Sequence, residues 1–263
     1  MSDFSLNHPP LICVAARVQF MPVEKISAYI SELQEALRLA GYPHFEEQRT
    51  KVWQIDDRAE AGMNVSFQEI SRWDFANLEK TVTIRVDRES LTLLFTDYDH
   101  FSNAEPHYRT ILKKVEEKIP SLLPQLVQLR YIACIPLPEG ASPTDWVTPS
   151  VLGMPNLDRL QRLGSVSETS FLTPEGGQFV TRCMSLGPQG LTLPADLLPL
   201  NAKLKHPLQS ETPFLLLENL HQRQAEVATF AAESCLTQLS SLRAQNAEVF
   251  QATVTPQALE SWK

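Results

Sequence analysis

The spacing of apolar residues changes period several times along this chain, and each change predicts an element. Leu11 to Phe20 is nearly continuous in apolar residues and predicts a strand. Ile26, Ile30, Leu33 and Leu37 then recur at helical spacing until Gly41-Tyr42-Pro43 stops them. From Lys51 to Phe95 the period falls to two. Val52 and Gln54 precede a polar turn at Asp56-Asp57. Val82, Ile84 and Val86 alternate with Thr81, Thr83 and Arg85, and Asp87-Arg88-Glu89-Ser90 forms a tight polar turn before Leu91, Leu93 and Phe95. That is the pattern of an antiparallel hairpin. Tyr108, Ile111, Leu112, Val115 and Ile119 restore helical spacing, with Glu105 and Pro106 suited to the first turn, and Pro120 cannot continue the helix. Val127 to Ile135 returns to strand.

Prolines and glycines from Pro136 to Gly164 interrupt regular structure, so residues 138–164 read as a connector between an N-terminal part, 1–137, and a C-terminal part, 165–263. Beyond it, Ser165 to Leu172 and Gln178 to Leu186 flank the turn Thr173-Pro174-Glu175-Gly176-Gly177. Gly187-Pro188-Gln189-Gly190 leads into Leu191-Thr192-Leu193, and Phe214 to Leu220 predicts a further strand. A long helix is expected from about Gln224 to Phe250. Its seam of Ala228, Ala232, Cys235, Leu239, Leu242, Asn246 and Val249 wants a partner: either the chain's own sheet, or a second copy in a two-stranded coiled coil with Asn246 setting register. Thr255-Pro256 starts a short last helix as N-cap and first helical residue. The fold class is therefore α+β: two antiparallel sheet-plus-helix halves, in an order that suggests a diverged duplication, closed by a long C-terminal helix.

Composition changes this picture little. A hydrophobic fraction of 43% supplies a core. The formal charge of −8 is spread over both parts, with 15 Lys/Arg against 19 Asp/Glu in 1–137 and 8 against 12 in the rest, so an extended nucleic-acid footprint is disfavoured. Cys13, Cys134, Cys183 and Cys235 form no C-x-x-C pair and read as buried free thiols, while a Cys-His pair brought together by the fold stays open. No apolar run reaches the roughly 18 residues of a membrane span, and the first ten residues lack a signal-peptide pattern. A cytoplasmic, reducing location is the expectation.

The candidate chemistry is sparse. With 9 glycines the chain contains neither a Walker loop nor a G-x-G-x-x-G turn, and neither a G-x-S-x-G elbow nor H-E-x-x-H occurs. Gln128 to Pro136 sets an arginine and a tyrosine in an apolar strand. Arg130 and Tyr131 point to opposite faces by alternation, so Arg130 is either a structural arginine held by a carboxylate or an anion-binding group facing a groove between the halves. Tyr98 and Phe101 either cover the second helix or form an aromatic wall for a ligand. Asp97, Asp99, His100 and His107, with Glu105, are the densest polar constellation and the residue types that hold a divalent ion.

Three places carry a resemblance to a known family. They are Trp73-Asp74-Phe75, followed by paired strands and Tyr98-x-x-Phe101; Leu129-Arg130-Tyr131-Ile132; and Leu242-Arg243 through Phe250, Thr255 and Trp262. In their order and spacing the chain resembles a sporadically distributed bacterial family of uncharacterised proteins, defined mainly by a sequence profile. It departs from that pattern at Ala133, where the family has asparagine. The resemblance implies an α+β fold and no established activity.

The preferred expectation is a non-enzymatic bacterial recognition or accessory protein without a cofactor, binding a protein partner or a small ligand, in a mobile or defence gene cluster by analogy with the family's scattered distribution. The tentative ligand-binding residues are Arg130, Tyr131, Tyr98 and Phe101, and the tentative homodimer seam is Leu239, Leu242 and Asn246. One alternative is a metal-dependent hydrolase centred on Asp97, Asp99, His100 and His107. Another is nucleotide or single-strand binding on a sheet face bearing Trp53, Trp73, Arg72 and Arg85.

Overall fold

The computed structural model describes residues 6–56, 64–154, 159, 163–186, 197, 202–204, 213–225 and 228–263; for 51–56, 64–68 and 186 it describes the backbone. The side chain of Trp53, the Asp57 end of the first polar turn and the strand expected at 191–193 lie outside these residues. Among the described residues nine strands form one antiparallel sheet. They are β1 (Leu11–Phe20), β2 (His44–Asp56), β3 (Asn64–Ala76), β4 (Val82–Val86), β5 (Ser90–Phe95), β6 (Pro124–Pro136), β7 (Gly164–Leu172), β8 (Gln178–Leu186) and β9 (Phe214–Gln224), in the order β2-β3-β4-β5-β1-β6-β9-β8-β7. The two expected parts meet in this single sheet, where β6 and β9 pair from Leu126↔Gln224 to Pro136↔Phe214.

One face of the sheet, the front, carries the helices. α1 (Ser27–Leu39) and α2 (Phe101–Lys118) bury the predicted Ile30, Leu33 and Leu37 and the predicted Tyr108, Ile111, Leu112 and Val115. Beneath them, Val14, Ala16, Val18 and Phe20 of β1 face inward with Ile84 of β4, Leu93 of β5 and Leu129 of β6. α2 starts at Phe101 rather than at Glu105-Pro106, so the proline lies inside the helix. Phe101 and Ala104 are buried in the core, and that burial carries the helix past a residue that sequence reasoning places in its first turn.

The expected long last helix runs from Ala232 to Thr253 in two stretches, α3 (Ala232–Leu242) and α4 (Ala244–Thr253), joined through Arg243, whose backbone keeps right-handed helical angles (φ −71°, ψ −29°); α5 (Pro256–Ser261) follows. It begins later than expected because β9 runs on to Gln224, its ladder extended by a chain of amides: Gln128 donates to Gln222 at 2.6 Å and Gln222 to Gln178 at 2.7 Å. The seam is spent inside the chain. Cys235, Leu239 and Leu242 lie in the core with α2, so Leu239 and Leu242 are not available to a coiled-coil partner. The Thr255 hydroxyl accepts from the Ala258 amide at 3.1 Å and caps α5 as predicted.

The helical face holds two apolar clusters. The larger lies under α1, α2 and α3. The smaller gathers Ala133, Ile135, Leu215 and Leu217 of β6 and β9 with Val147, Val254, Ala258 and Trp262. Val147, from the expected connector, is fully buried and bridges to Val254, so this part of the connector is built into the fold.

The opposite face is tied by buried ion pairs. Arg85 donates to both oxygens of Asp74 at 2.9 and 3.0 Å across β3 and β4. Glu218, 3% exposed, lies between Arg130 at 3.2 Å and Arg182 at 2.7 Å, and Arg182 also reaches Glu168. Removing one partner of such a group strands charge in a poorly solvated site. Glu218→Ala is therefore expected to lower the unfolding free energy by about 3–5 kcal/mol, read from urea denaturation.

Candidate functional site

Between the two clusters the front face is not filled. A cavity of about 290 Å³ opens there, floored by Tyr131 and Ala133 of β6 and Leu217 and Asn219 of β9. Tyr98 and Phe101 bound it from the start of α2, and Arg243, Asn246 and Phe250 from the α3–α4 junction and α4. These groups converge because β6 and β9 are adjacent, placing Tyr131 opposite Asn219 on one side of the ladder.

The aromatic wall is a packed set. The Tyr98 and Tyr131 rings meet edge to face at 5.9 Å with their hydroxyls 3.3 Å apart. Phe101 stacks on Tyr108 at 5.7 Å and carries the Arg243 guanidinium over its face at 5.3 Å. Phe250 is backed by Trp262, whose ring also lies against Trp146. Burial pushes both tyrosine hydroxyls up, Tyr131 further, while the positive charge of Arg243 pulls each part of the way back. At neutral pH they are uncharged donors.

β9 positions the polar side. Its front residues Leu215, Leu217, Asn219 and His221 run from apolar to polar along one face. The His221 ring nitrogen Nδ1 lies 2.7 Å from the Leu242 carbonyl, the last of α3. Since a carbonyl only accepts, Nδ1 carries the proton and the buried Nε2 is bare, with no hydrogen-bond partner among the described residues. Two residues earlier, Asn219 accepts from the Thr181 hydroxyl at 2.8 Å and donates to the Asn246 carbonyl oxygen at 3.0 Å. This relay engages the side-chain oxygen of Asn246 and leaves the amide nitrogen of that cavity-lining residue outside it. The two bonds from β9 hold the α3–α4 junction on the sheet and set Arg243 at the mouth.

Of the sequence-predicted residues, Tyr98, Phe101 and Tyr131 come together. Arg130 does not join them. It is on the opposite face with Glu218, as a structural arginine held by a carboxylate, because adjacent strand residues point apart. Asn246, expected to set a dimer register, is a cavity residue. The metal constellation disperses: Asp99 and His100 sit at the cavity mouth, Asp97 is exposed outside the lining, and the His107 Nδ1 is 2.7 Å from the Tyr42 hydroxyl, with its ring edge-on to Phe95. Among the described residues no three His, Cys, Asp or Glu side chains are grouped to hold a metal ion.

Of the residues expected on a nucleic-acid-binding face, Arg72 donates to Gln48 at 2.8 Å and the side chain of Trp53 lies outside the described residues. Trp73 is buried in the larger core and Arg85 is engaged by Asp74. All four cysteines are free and buried, and burial raises Cys13 to about 12 and the others to about 11, which favours the neutral thiol. Sequence reasoning missed Asn219 and the cavity role of Arg243, Asn246 and Phe250. The signal for Asn219 was present in the switch from Leu215 and Leu217 to Asn219 and His221 along one strand face.

No family model, no curated protein and no solved structure matches the chain.

Burial holds His221 below its ordinary value, a direction only partly offset by the bond to Leu242, and it lowers His107 as well. A group whose folded value is depressed binds fewer protons folded than unfolded. Stability is therefore full above the unfolded value of about 6.5 and falls as pH drops through the folded one. The urea midpoint should decline between about pH 7 and pH 5, and His221→Gln should flatten that decline.

Proposed function

We propose that this chain is a non-enzymatic recognition protein that holds a small, planar ligand in the cavity between its two front-face clusters. The observation that carries this reading is the composition of that cavity. Aromatic rings supply two of its walls, and the polar groups at it are the Asn246 amide and the Tyr98–Tyr131 hydroxyl pair, in which one phenol donates to the other and the second keeps its proton for a ligand. A ligand here stacks against Tyr131 or Phe101 and presents acceptor atoms to these donors. A volume near 290 Å³ corresponds to roughly ten water molecules, which suits a ligand of about ten to fifteen non-hydrogen atoms.

Three of the segments that carry the family resemblance line this one space, through Tyr98 and Phe101, Tyr131, and Arg243 with Phe250. Residues distant in the chain thus contribute to a common surface, as a binding role requires. The residues of the hydrolytic alternative are spread apart, with Asp99 and His100 on the lining, Asp97 exposed outside it and His107 beside Tyr42. Four free, buried cysteines support a reducing compartment, and an accessory role beside a partner protein agrees with a chain that senses a ligand without transforming it.

Native mass spectrometry of protein purified without denaturation tests the reading. The expected result is a small molecule that is released on unfolding and raises the melting temperature when added back. Ala247→Phe, which projects a ring into the cavity from α4, should reduce its retention at least tenfold with little change in the stability of the empty protein. A chain that carries no such molecule, and whose melting temperature is unmoved by fractionated cell extract, contradicts the proposal.

A further inference from the structure

The cavity has two chemically different ends, and strand register sets them. β6 and β9 pair Ala133 with Leu217 and Tyr131 with Asn219, so the floor passes from apolar to polar within two residues. Leu11 of β1 lies opposite Ala133 and continues the apolar end. α4 runs in the same sense above the floor. Its Asn246 is bonded to Asn219 at the polar end, and its Phe250 packs with the Leu217 cluster at the apolar one. A molecule that fills this space needs an apolar body and a polar head, arranged along one axis.

The charges of the lining all belong to the polar end. Asp99 and Arg243 carry opposite signs there, with His100 beside Asp99. The Arg243 guanidinium lies over Phe101 at 5.3 Å and its positive charge acts on the Tyr98 hydroxyl. Tyr98 and Phe101 bracket Asp99 and His100 in the chain, so both signs of charge meet at one mouth. A ligand bearing a lone carboxylate or a lone ammonium group matches one of these ions and repels the other. A zwitterion with both charges on one carbon matches both at once, whatever contacts the two side chains make within the chain.

We propose that the occupant is an aromatic α-amino acid, with its carboxylate toward Arg243, its ammonium group toward Asp99 and its ring over the Ala133–Leu217 floor beside Phe250. This assignment rests on reading the cavity as a recognition site and names the class of molecule recognised. A guanidinium presents its N–H groups in one plane, the geometry that suits a carboxylate, while the Asp99 carboxylate accepts from an ammonium group. An aromatic ring supplies the planar apolar body and lies against Phe250 and Tyr131, and a phenyl or indole ring with its amino-acid head is of the size that a volume near 290 Å³ admits.

Calorimetric titration of the full chain at about pH 8, where an imidazole is uncharged, tests the assignment. L-phenylalanine or L-tryptophan should bind with a dissociation constant below about 1 mM. Phenethylamine and 3-phenylpropionate each keep the ring and one of the two charges, and each should bind at least about fivefold more weakly than L-phenylalanine. Asp99→Asn should bring 3-phenylpropionate to within about twofold of L-phenylalanine, and Arg243→Gln should do the same for phenethylamine. Both positions are exposed, and circular dichroism verifies that the variants keep the fold. Failure of both amino acids to bind at about 5 mM overturns the assignment. So do one-charge analogues that bind as tightly as the amino acid, or a preference that survives both substitutions. If the amino acids fail while the purified chain retains another small molecule that Ala247→Phe expels, this assignment falls and the recognition reading stands; if nothing is retained, both fall.

Discussion

Much of the helical face depends on how β9 grips the junction between α3 and α4. Two bonds two residues apart, from His221 to the Leu242 carbonyl and from Asn219 to Asn246, hold the last turn of one helix and the first turns of the next against the sheet. Arg243 keeps right-handed helical angles at the junction and lies over Phe101, and α4 proceeds to seat Phe250 against Trp262. The cavity lies between the two clusters. Leu239 and Leu242 fill the core before the junction, Val254 and Ala258 fill the smaller one after it, and neither set reaches the floor between.

The two faces of the sheet divide the work. Arg130 and Tyr131 are neighbours in sequence, yet one is locked to Glu218 on the back and the other lines the cavity on the front. Buried charge on the back supplies specificity of strand pairing more than net stability, because the desolvation of three ionised groups offsets much of their attraction. The Thr181–Asn219–Asn246 relay is similar in kind. Its donors and acceptors are matched in sequence, so a single amide orientation of Asn219 satisfies both bonds.

Local patterns in the sequence were legible where one interaction decides them. The Asp87 turn is an example: its carboxylate accepts from the Glu89 amide at 2.9 Å and the Ser90 hydroxyl at 2.7 Å, so the hairpin is written in four consecutive residues. The α5 cap and the buried stripes of α1 and α2 are legible for the same reason. The helix starts at Phe101 and Ala232 were not, because they are set by core burial and by extension of the β6–β9 ladder, which the local sequence does not encode. The aromatic half of the site was visible as Tyr98, Phe101 and Tyr131. Its polar half was hidden, since Asn219 gains meaning only when Thr181 and Asn246 arrive from strands and helices distant in the chain.

The central claim is that the space between Tyr98, Tyr131, Asn246 and Phe250 is a recognition site rather than a packing defect. A crystal structure of the protein purified with whatever it retains, at neutral pH, is the most direct measurement. It should show a planar molecule against Tyr131 or Phe101 with an acceptor atom at hydrogen-bond distance from the Asn246 amide nitrogen. A cavity holding only water while a retained molecule occupies another part of the surface would contradict it.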